Sequence, residues 1–285
     1  MDSILLTIKQ SKDNLTKTEQ SIAEYILKNP HEVIKTSVQE LAPKIPTSPA
    51  SIVRFSQRLC GSGGYSDLKL RLSAESDVDT ALYEELSPSD SIDDMKKKLS
   101  FRVDQTLTKT NSLLSEERLK AAINLFNEKN TIIAYGIGAS MIAAQDLQQK
   151  LLRVGKTVVT NIDLHLLTTL LLAKKNETVL VLISNSGETK EIIKFAKIAH
   201  ENNVPVISLT QNESSSLGYE SDIVLKNDDS SENARLRSAA TTSLISQLYA
   251  IDILYYSYFS LHFTENVKQI SLSQKYISNN FKKDQ

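Results

Sequence analysis

Three hydroxyl side chains, those of Ser184, Ser186 and Thr189, lie close together in the sequence around a single glycine, Gly187. They follow a run of apolar and β-branched residues, Thr178–Ile183, which predicts a strand buried on both faces of a parallel sheet. The residues after Thr189 predict an amphipathic helix, whose first turn offers unpaired N–H groups and the positive end of the helix dipole. The three hydroxyls and the N–H groups of the helix can donate hydrogen bonds to an anion, and the hydroxyls add no charge. The turn is therefore a candidate phosphate site.

A second turn between a predicted strand and a predicted helix carries related chemistry. Residues 131–135 predict a buried strand, and Gly136-Ile137-Gly138-Ala139-Ser140 follows it. The spacing of its glycines resembles a dinucleotide-binding fingerprint, but Met141 occupies the position of the third glycine and the next predicted strand does not end in an acidic residue. We therefore expect the two turns to hold one ligand from both sides, with Ser140 contributed by this turn.

The elements that would position these turns alternate regularly from Glu117 onward. This alternation of strand and helix predicts a doubly wound α/β fold, in which a parallel sheet is covered by helices on both faces. The predicted strands are Thr131–Tyr135, Lys156–Thr160, Thr178–Ser184, Val204–Thr210 and Asp222–Lys226. The predicted helices are Leu119–Phe126, Met141–Val154, Leu164–Ala173, Thr189–Asn202 and Ala239–Phe259.

The first 75 residues predict a separate, all-helical domain. Capping boxes at Thr16-Lys17-Thr18-Glu19 and Ser37-Val38-Gln39-Glu40 start two helices, and Ser48-Pro49 starts another. Pro46 places a turn before this last helix because proline cannot continue a helix. A short helix, a tight turn and a helix with an exposed polar face are typical of a DNA-binding helix-turn-helix, although an ordinary three-helix bundle gives the same pattern.

The helix from Pro49 to about Leu59 separates its residues into two faces. Ile52, Phe55 and Leu59 recur at helical spacing and are expected to face the core. The opposite face carries side chains suited to bases and phosphates, and Lys69 in the following helix is placed to reach a phosphate. The predicted DNA-binding residues are Ser48, Ala50, Ser51, Arg54, Gln57, Arg58 and Lys69.

The composition restricts the class of protein. The chain has 285 residues, 40% of them hydrophobic and 24% charged, and a net charge of −1, which indicates a globular protein without bulk affinity for nucleic acid or membrane. Its apolar runs are shorter than the roughly 20 residues needed to span a bilayer, and its first residues do not form a signal peptide. Cys60 is the single cysteine, so a Cys-based metal site is not expected. We predict a cytoplasmic protein without metal, cofactor or membrane association.

Two sets of residues resemble known domains. Leu15–Pro30, Ser48–Leu59 and Gly64–Lys69 are similar to the helix-turn-helix of the RpiR/MurR family of bacterial regulators. Gly138-Ala139-Ser140 together with Ser184–Thr189 resembles the sugar isomerase (SIS) domain, which binds phosphosugars. The resemblance implies a transcriptional regulator of carbohydrate metabolism that is not an enzyme. Its implied effector-binding residues are Gly138, Ser140, Ser184, Asn185, Ser186, Gly187 and Thr189.

The same resemblance implies the partners and the domain order. The implied partners are a double-stranded DNA operator and a phosphosugar effector. The chain is also expected to associate with copies of itself, as a homodimer or homotetramer. Amino-sugar phosphates such as N-acetylmuramic acid 6-phosphate are included among the expected effectors. The predicted segments are a helix-turn-helix domain over 1–75, a linker over 76–116 with a connecting helix from about Ile92 to Leu114, a SIS domain over 117–260 and a C-terminal tail over 261–285.

A phosphosugar aldose–ketose isomerase is the alternative function. That reaction needs a general base that moves a proton between adjacent carbons. Glu188, His165, Glu220 and Glu232 are available, but their spacing does not single one out. A carboxylate at Glu188 is expected at a helix start, where it favours the helix dipole. An isomerase has no use for the N-terminal helices, which favours the regulator.

Overall fold

A computed structural model describes residues 3–11, 15–75, 87–228 and 240–281. The chain divides into two compact units, Met1–Gln105 and Thr106–Gln285. The part of the predicted linker over 76–86, the isomerase candidate Glu232 and the predicted helix start at Ala239 lie outside the described residues.

The first unit is helical, as the sequence predicted. Both capping boxes form: the hydroxyls of Thr16 and Ser37 accept the N–H groups of Glu19 and Glu40, whose carboxylates accept the N–H groups of the two capping residues in return. These two helix starts are therefore encoded locally. The helices are α1 Ile4–Ser11, α2 Lys17–Lys28, α3 Pro30–Lys35, α4 Val38–Leu41, α5 Pro49–Cys60, α6 Gly64–Ala74 and α7 Ile92–Leu113, of which α7 continues into the second unit.

One apolar core joins the helices of the first unit. The inward face of α5 is the predicted one, because Ile52 and Phe55 are almost fully buried and Leu59 packs against the cluster. Burying one such side chain contributes about 1.5–3 kcal/mol relative to leaving it exposed, so this core is the main source of stability. Other almost fully buried members are Ile22, Ile26, Leu68 and Leu72.

Helix α1 is an addition to the elements that the sequence predicted. Its residues Ile4, Leu5 and Ile8 are buried in the same core. The carboxylate of Glu75, at the end of α6, accepts the backbone N–H of Ile4 at 2.5 Å and the hydroxyl of Ser3 at 2.9 Å. A helix of eight residues is marginal by itself, so α1 depends on this packing and on a cap supplied from 71 positions away.

The second unit has the predicted α/β fold. Its five strands form one sheet in the order β2-β1-β3-β4-β5, and all neighbouring strands are parallel. Helices α8, α9 and α13 pack on one face of the sheet, and α10 and α11 pack on the other. The elements are α8 Glu116–Glu128, β1 Thr131–Gly136, α9 Ala139–Leu152, β2 Thr157–Val159, α10 Leu164–Ala173, β3 Thr178–Ile183, α11 Lys190–Glu201, β4 Val206–Thr210, α12 Ser216–Tyr219, β5 Ile223–Lys226, α13 Thr242–Leu261 and α14 Phe263–Phe281.

The order of the strands reverses at β1. The chain passes from β1 outward to β2 and then returns to the other side of β1 as β3. Gly136 and Ile183, the last residues of β1 and β3, are partners in register. In open parallel sheets, ligands bind outside the carboxyl ends of the strands at such a topological switch point. The two turns singled out in the sequence leave the sheet at this place.

Element boundaries differ from the sequence prediction at several places, and two of the differences concern the start of α9 and the C-terminal segment. Helix α9 begins at Ala139 and not at Met141, because Gly138 occupies the N-cap with a φ of 62°, in the left-handed region that favours glycine. Ser140 therefore lies in the first turn of α9 and not in the loop before it. The segment predicted as a C-terminal tail contains the 19-residue helix α14.

Candidate functional sites

The turn after β3 is built around Gly187. Its φ of 70° lies in the left-handed region, and a Cβ atom at this position would lie 2.1 Å from the Oγ of Ser215. Only glycine fits this conformation and this close approach together. The N–H of Gly187 donates to the Oγ of Ser184 at 3.2 Å, and the same hydroxyl lies 3.2 Å from the Oγ1 of Thr189. The fold thus brings two of the predicted hydroxyls within hydrogen-bond distance.

These hydroxyls lie at the beginning of a helix. Thr189 is the N-cap residue of α11, and its side chain makes no capping bond, so the first N–H groups of the helix remain available to a ligand. Ser184 is buried, Thr189 is half-buried and Ser186 is exposed. Hydroxyl donors that flank a helix N-terminus can bind an anion such as a phosphate.

Asn185 lies beneath the turn and is buried. Its carbonyl O accepts the hydroxyl of Thr210 and the N–H of Gln211, both at 3.0 Å. Its Oδ1 accepts the side-chain amide of Asn227 at 3.1 Å, and that amide also donates to the Oγ of Ser246 at 2.9 Å. Asn185 therefore ties the turn to the ends of β4 and β5.

The turn after β1 brings Ser140 to the same end of the sheet. A Cβ atom at Gly136 would lie 2.5 Å from the backbone O of Ser140, so this glycine allows the first turn of α9 to lie against β1. The Oγ of Ser140 accepts a hydrogen bond from the Nε2 of Gln247 in α13 at 3.2 Å. Because β1 and β3 are adjacent strands, about 4.8 Å apart, both turns border one crevice.

Three polar residues at these turns were missed in the sequence: Asn227, Ser246 and Gln247. Asn227 lies 42 positions from its partner Asn185, and Gln247 lies 107 positions from Ser140. One signal was present, because Ser246 and Gln247 are buried polar residues in a helix that is otherwise largely apolar. A buried polar residue predicts a hydrogen-bond partner without identifying it.

Among the isomerase candidates that the structure describes, Glu188 is held by hydrogen bonds. The hydroxyl of Ser216 donates to the carboxylate of Glu188 at 2.7 Å and its N–H donates at 2.8 Å, and these bonds hold the pKa of Glu188 below its ordinary value. A lowered pKa makes the carboxylate of Glu188 a weaker base than an ordinary glutamate. The carboxylate of Glu188 holds the start of α12 and not that of α11. His165 is exposed, and Glu220 lies 3.9 Å from the ammonium of Lys197.

A separate groove of about 570 Å³ lies between α8 and the edge formed by α12 and β5. Of the described residues that line it, Arg118 is the one cation, and it pairs with Glu213 and donates to the carbonyl O of Val224 at 3.0 Å. Glu117 and Asp222 add two further carboxylates to the lining. This excess of negative charge is unsuited to a phosphate, so the crevice between the two turns is the better anion site.

Metal and membrane sites were also sought in the described part of the chain. There, His, Cys, Asp and Glu side chains form no group of three that could hold a metal ion. Within the same residues, no helix combines the length and apolarity needed to cross a membrane.

The outer face of α5 carries most of the residues predicted to contact DNA. Ser48 caps the helix, since its hydroxyl accepts the N–H of Ser51 at 3.1 Å. Ala50, Arg54 and Gln57 are exposed on this face. The Nη2 of Arg54 lies 3.4 Å from the Oγ of Ser51, and among the described residues Arg54 has no ion-pair partner. Arg54 is therefore able to reach an external acceptor.

The other two predicted cations are held within their own unit. The Nη1 of Arg58 lies 3.0 Å and 3.1 Å from the two carboxylate oxygens of Glu19. Hydrogen bonds from Thr16, together with this guanidinium, keep the pKa of Glu19 below its ordinary value. The ammonium of Lys69 donates to the carbonyl O of Thr36 at 3.3 Å and lies 5.9 Å from the ring centre of Tyr65.

Comparison with known proteins defines the class of this protein. Residues 2–78 match the helix-turn-helix domain of the rpiR family, and residues 125–257 match the SIS domain. The protein is thus a helix-turn-helix protein with a SIS domain, in the order that the sequence motifs predicted.

Relatives of similar length identify the family. YbbH, an HTH-type transcriptional regulator of Bacillus subtilis strain 168, is 33% identical over 252 residues, which cover 88% of each chain. The HTH-type transcriptional regulator TTE0211 of Caldanaerobacter subterraneus is 34% identical over 256 residues, which cover 90% of each chain. The chain belongs to the rpiR family of HTH-type transcriptional regulators, which confirms the recognition made from the sequence.

Solved structures agree with this assignment. The NanR protein of Vibrio vulnificus in complex with ManNAc-6P matches with a TM-score of 0.61 and 25% identity, covering 98% of this chain and 100% of that one. The sugar isomerase domain of an RpiR transcription factor from Sphaerobacter thermophilus matches with a TM-score of 0.57 and 16% identity, covering 64% of this chain and 98% of that domain. The second likeness supports the fold alone.

Proposed function

We propose that this regulator binds a phosphorylated sugar in its SIS domain and changes its affinity for operator DNA in response. The observation that carries the proposal is the Ser184–Thr189 turn at the switch point of the sheet. There, two hydroxyls 3.2 Å apart adjoin the open N-terminus of α11. A phosphate would accept hydrogen bonds from these hydroxyls and from the first N–H groups of the helix. Ser140, in the neighbouring turn, is available to the sugar.

The chemical class of the effector rests on similarity. NanR of Vibrio vulnificus, which is similar over the whole chain, was solved with ManNAc-6P, a phosphorylated amino sugar. We therefore propose an amino-sugar phosphate, and N-acetylmuramic acid 6-phosphate stays among the candidates that the sequence suggested. Control of genes of carbohydrate metabolism follows from an effector of this class.

The DNA-binding part of the proposal assigns the outer face of α5 to the operator. Arg54 is the first candidate for a base or phosphate contact, with Ser48, Ala50, Ser51 and Gln57 beside it. Arg58 and Lys69 are predicted to contribute at the edge of this face. We propose a homodimer or homotetramer in the cytoplasm, because paired helix-turn-helix domains contact half-sites about one helical turn apart.

We further propose that the protein is a sensor and not an isomerase. The lowered pKa of Glu188 leaves this carboxylate a weak base, and its two bonds to Ser216 occupy it. A proton-transfer step between adjacent carbons would need a stronger base near the sugar. An assay for interconversion of aldose and ketose phosphates should therefore remain at the level without protein.

The test is a thermal-shift screen of the full chain against phosphorylated sugars, including ManNAc-6P, glucosamine 6-phosphate and N-acetylmuramic acid 6-phosphate. A ligand that binds the folded state raises the melting temperature by mass action. The double variant Ser184→Ala with Ser186→Ala should lose this shift and the change in DNA affinity, while it still binds DNA without ligand. Ser214→Ala, an exposed serine outside both turns, is the matched control. A normal response in the double variant would place the effector site elsewhere.

A further inference from the structure

We propose that Thr110 and Asn111, two adjacent residues of α7, transmit the structural change caused by ligand binding at the effector site out of the SIS domain. The inference rests on the proposed function, because it takes the two turns as the effector site. Each turn is connected to one of these residues by two hydrogen bonds that a short stretch of backbone joins, Asn227-Asp228 in one route and residues 247–249 of α13 in the other. The routes differ in burial and in the elements they use, so they can be broken separately.

The first route starts at Asn185, beneath the phosphate turn. The amide of Asn227 donates to the Oδ1 of Asn185 at 3.1 Å, and the next residue, Asp228, donates its backbone N–H to the Oγ1 of Thr110 at 3.1 Å. Asn227 and Thr110 are completely buried, and Asn185 and Asp228 are buried as well. Without competing water, a displacement of Asn185 alters these bonds directly.

The side chain of Asn227 is expected to change its hydrogen bonds readily. Its amide nitrogen is used twice, by Asn185 and by Ser246, but its Oδ1 is buried without a hydrogen-bond partner among the described residues. A buried acceptor that lacks a partner costs free energy in this arrangement. A shift of Asn185 that allows Asn227 to reorient would recover part of that cost. The segment Asn227–Asp228 can therefore take a second arrangement, which two-state coupling requires.

The second route starts at Ser140, in the turn after β1. The Nε2 of Gln247 in α13 donates to the Oγ of Ser140 at 3.2 Å. Two residues further along α13, the hydroxyl of Tyr249 donates to the Oδ1 of Asn111 at 2.9 Å. Gln247 is buried, whereas the bond between Tyr249 and Asn111 is exposed to water. The second route is therefore expected to carry the smaller part of the coupling.

Helix α7 is the element that these routes reach. It runs without a break over Ile92–Leu113, and the boundary between the two units falls within it, after Gln105. Phe101 of the same helix packs against the core of the first unit, which contains α5. A displacement of the last turns of α7 is thus passed along a continuous helical backbone to a residue of the DNA-binding domain.

The experiment measures coupling in the full chain. A duplex is selected from a random pool by the wild-type protein, and its Kd is measured by fluorescence anisotropy with and without ManNAc-6P, glucosamine 6-phosphate or N-acetylmuramic acid 6-phosphate. The coupling factor is the ratio of the two Kd values, and factors of about 5–150 are usual for allosteric proteins. Isothermal titration gives the Kd of each sugar phosphate separately.

Two conservative variants break the routes. Thr110→Val keeps the size of the side chain and removes the acceptor of the Asp228 N–H, and Tyr249→Phe removes only the hydroxyl bonded to Asn111. We expect Thr110→Val to lower the coupling factor more than Tyr249→Phe, and the double variant to bring it to about 1, while each separate Kd changes less than about threefold. The matched controls are Thr178→Val, a buried threonine at the opposite end of β3, and Tyr219→Phe, an exposed tyrosine.

The possible results separate this inference from the proposed function. Wild-type coupling in the double variant would overturn the inference and leave the effector site intact. A loss of sugar-phosphate affinity that accounts for the whole loss of coupling would also overturn it, because the residues would then serve binding alone. Failure of all three sugar phosphates to bind the wild-type protein, or binding that survives Ser184→Ala with Ser186→Ala, would instead overturn the proposed function and the inference with it.

Discussion

The outer face of α5 and the crevice at the ends of β1 and β3 use polar side chains in opposite ways. On α5, the exposed cation Arg58 and small polar groups accompany Arg54, which has no ion-pair partner among the described residues. In the crevice, the uncharged hydroxyls and amides other than that of the exposed Ser186 are buried or half-buried, and some are bonded to one another, as Ser184 is to Thr189. The first surface suits a large anionic partner approached from water, and the second suits a small anion enclosed by donors.

This difference sets how each site should respond to substitution. The exposed side chains on α5 lie outside the buried core, so single changes there should weaken DNA binding while leaving the fold intact. The turn around Gly187 belongs to a bonded network, so a single change there should disturb several residues together. The following predictions test the contrast, beginning with the network.

Gly187→Ala should have the largest effect. The left-handed backbone costs about 1–2 kcal/mol for alanine, and the clash of its Cβ with Ser215 adds about 1–3 kcal/mol of overpacking. We expect a lower melting temperature of the SIS domain by calorimetry and loss of the thermal shift with sugar phosphate. Gly155→Ala is the control. Gly155 has a φ of 81°, but a Cβ added there would have no neighbouring atom within 4 Å. The free energy of unfolding of this variant should therefore fall by the cost of the left-handed backbone alone. Equal losses in both variants would contradict the close-approach argument.

Arg54→Ala should weaken DNA binding strongly and leave the effector site unchanged. Loss of one direct contact costs about 1–3 kcal/mol, which is about 5- to 150-fold in Kd. If Arg54 contacts a phosphate, the slope of log Kd against log salt concentration should fall by about one. Arg71→Ala is the control, since Arg71 pairs with Asp67 on α6. A parallel loss of sugar-phosphate binding would indicate unfolding and not a lost contact.

Glu19→Gln should have an intermediate effect on the first unit. Because the folded-state pKa of Glu19 is depressed, its contribution to stability is present above the unfolded value of about 4.3 and is lost as the pH falls through the folded value. The variant should unfold at lower urea concentration at pH 7 and depend less on pH between neutrality and acid. Unchanged acid sensitivity would show that other carboxylates govern it.

Lys69→Met should have the smallest effect of the four. The ammonium of Lys69 is bonded to the carbonyl O of Thr36, so it is less available to a phosphate than Arg54 is. We expect less than about a threefold change in DNA affinity and a salt slope that falls by clearly less than one. A salt slope lowered by about one would show that Lys69 leaves Thr36 to contact DNA, as the sequence suggested.

Much of the fold was predictable because its signals are local. The capping boxes at Thr16 and Ser37 and the proline at the start of α5 fix helix starts within a few residues. The apolar runs of β1 and β3 predicted their strands, since both are buried along their full length. Helix α1 escaped prediction because its cap, Glu75, comes from the far end of the same domain.

The candidate site was predictable in part. Its hydroxyls occur in two short turns, so Ser140, Ser184, Ser186 and Thr189 could be named as candidates from residue type and spacing, and the family resemblance added Gly138. Asn227 and Gln247 were not found, because their relation to the turns exists only after the sheet and α13 have formed. Asn185 also holds the turn from beneath, and its part in effector binding stays a prediction.

The sequence by itself determined the two-domain order, the alternation of strand and helix, the outer face of α5 and the hydroxyl-rich turn at Ser184–Thr189. These features depend on side-chain periodicity and on the conformations that proline and glycine allow, which act over a few residues. Three features follow from the tertiary structure alone: the ion pair between Arg58 and Glu19, the hydrogen bonds from Ser216 to Glu188, and the hydrogen bonds that lead from the two turns to α7. Those choices depend on which distant segments the buried cores bring into contact, and local sequence carries no record of that.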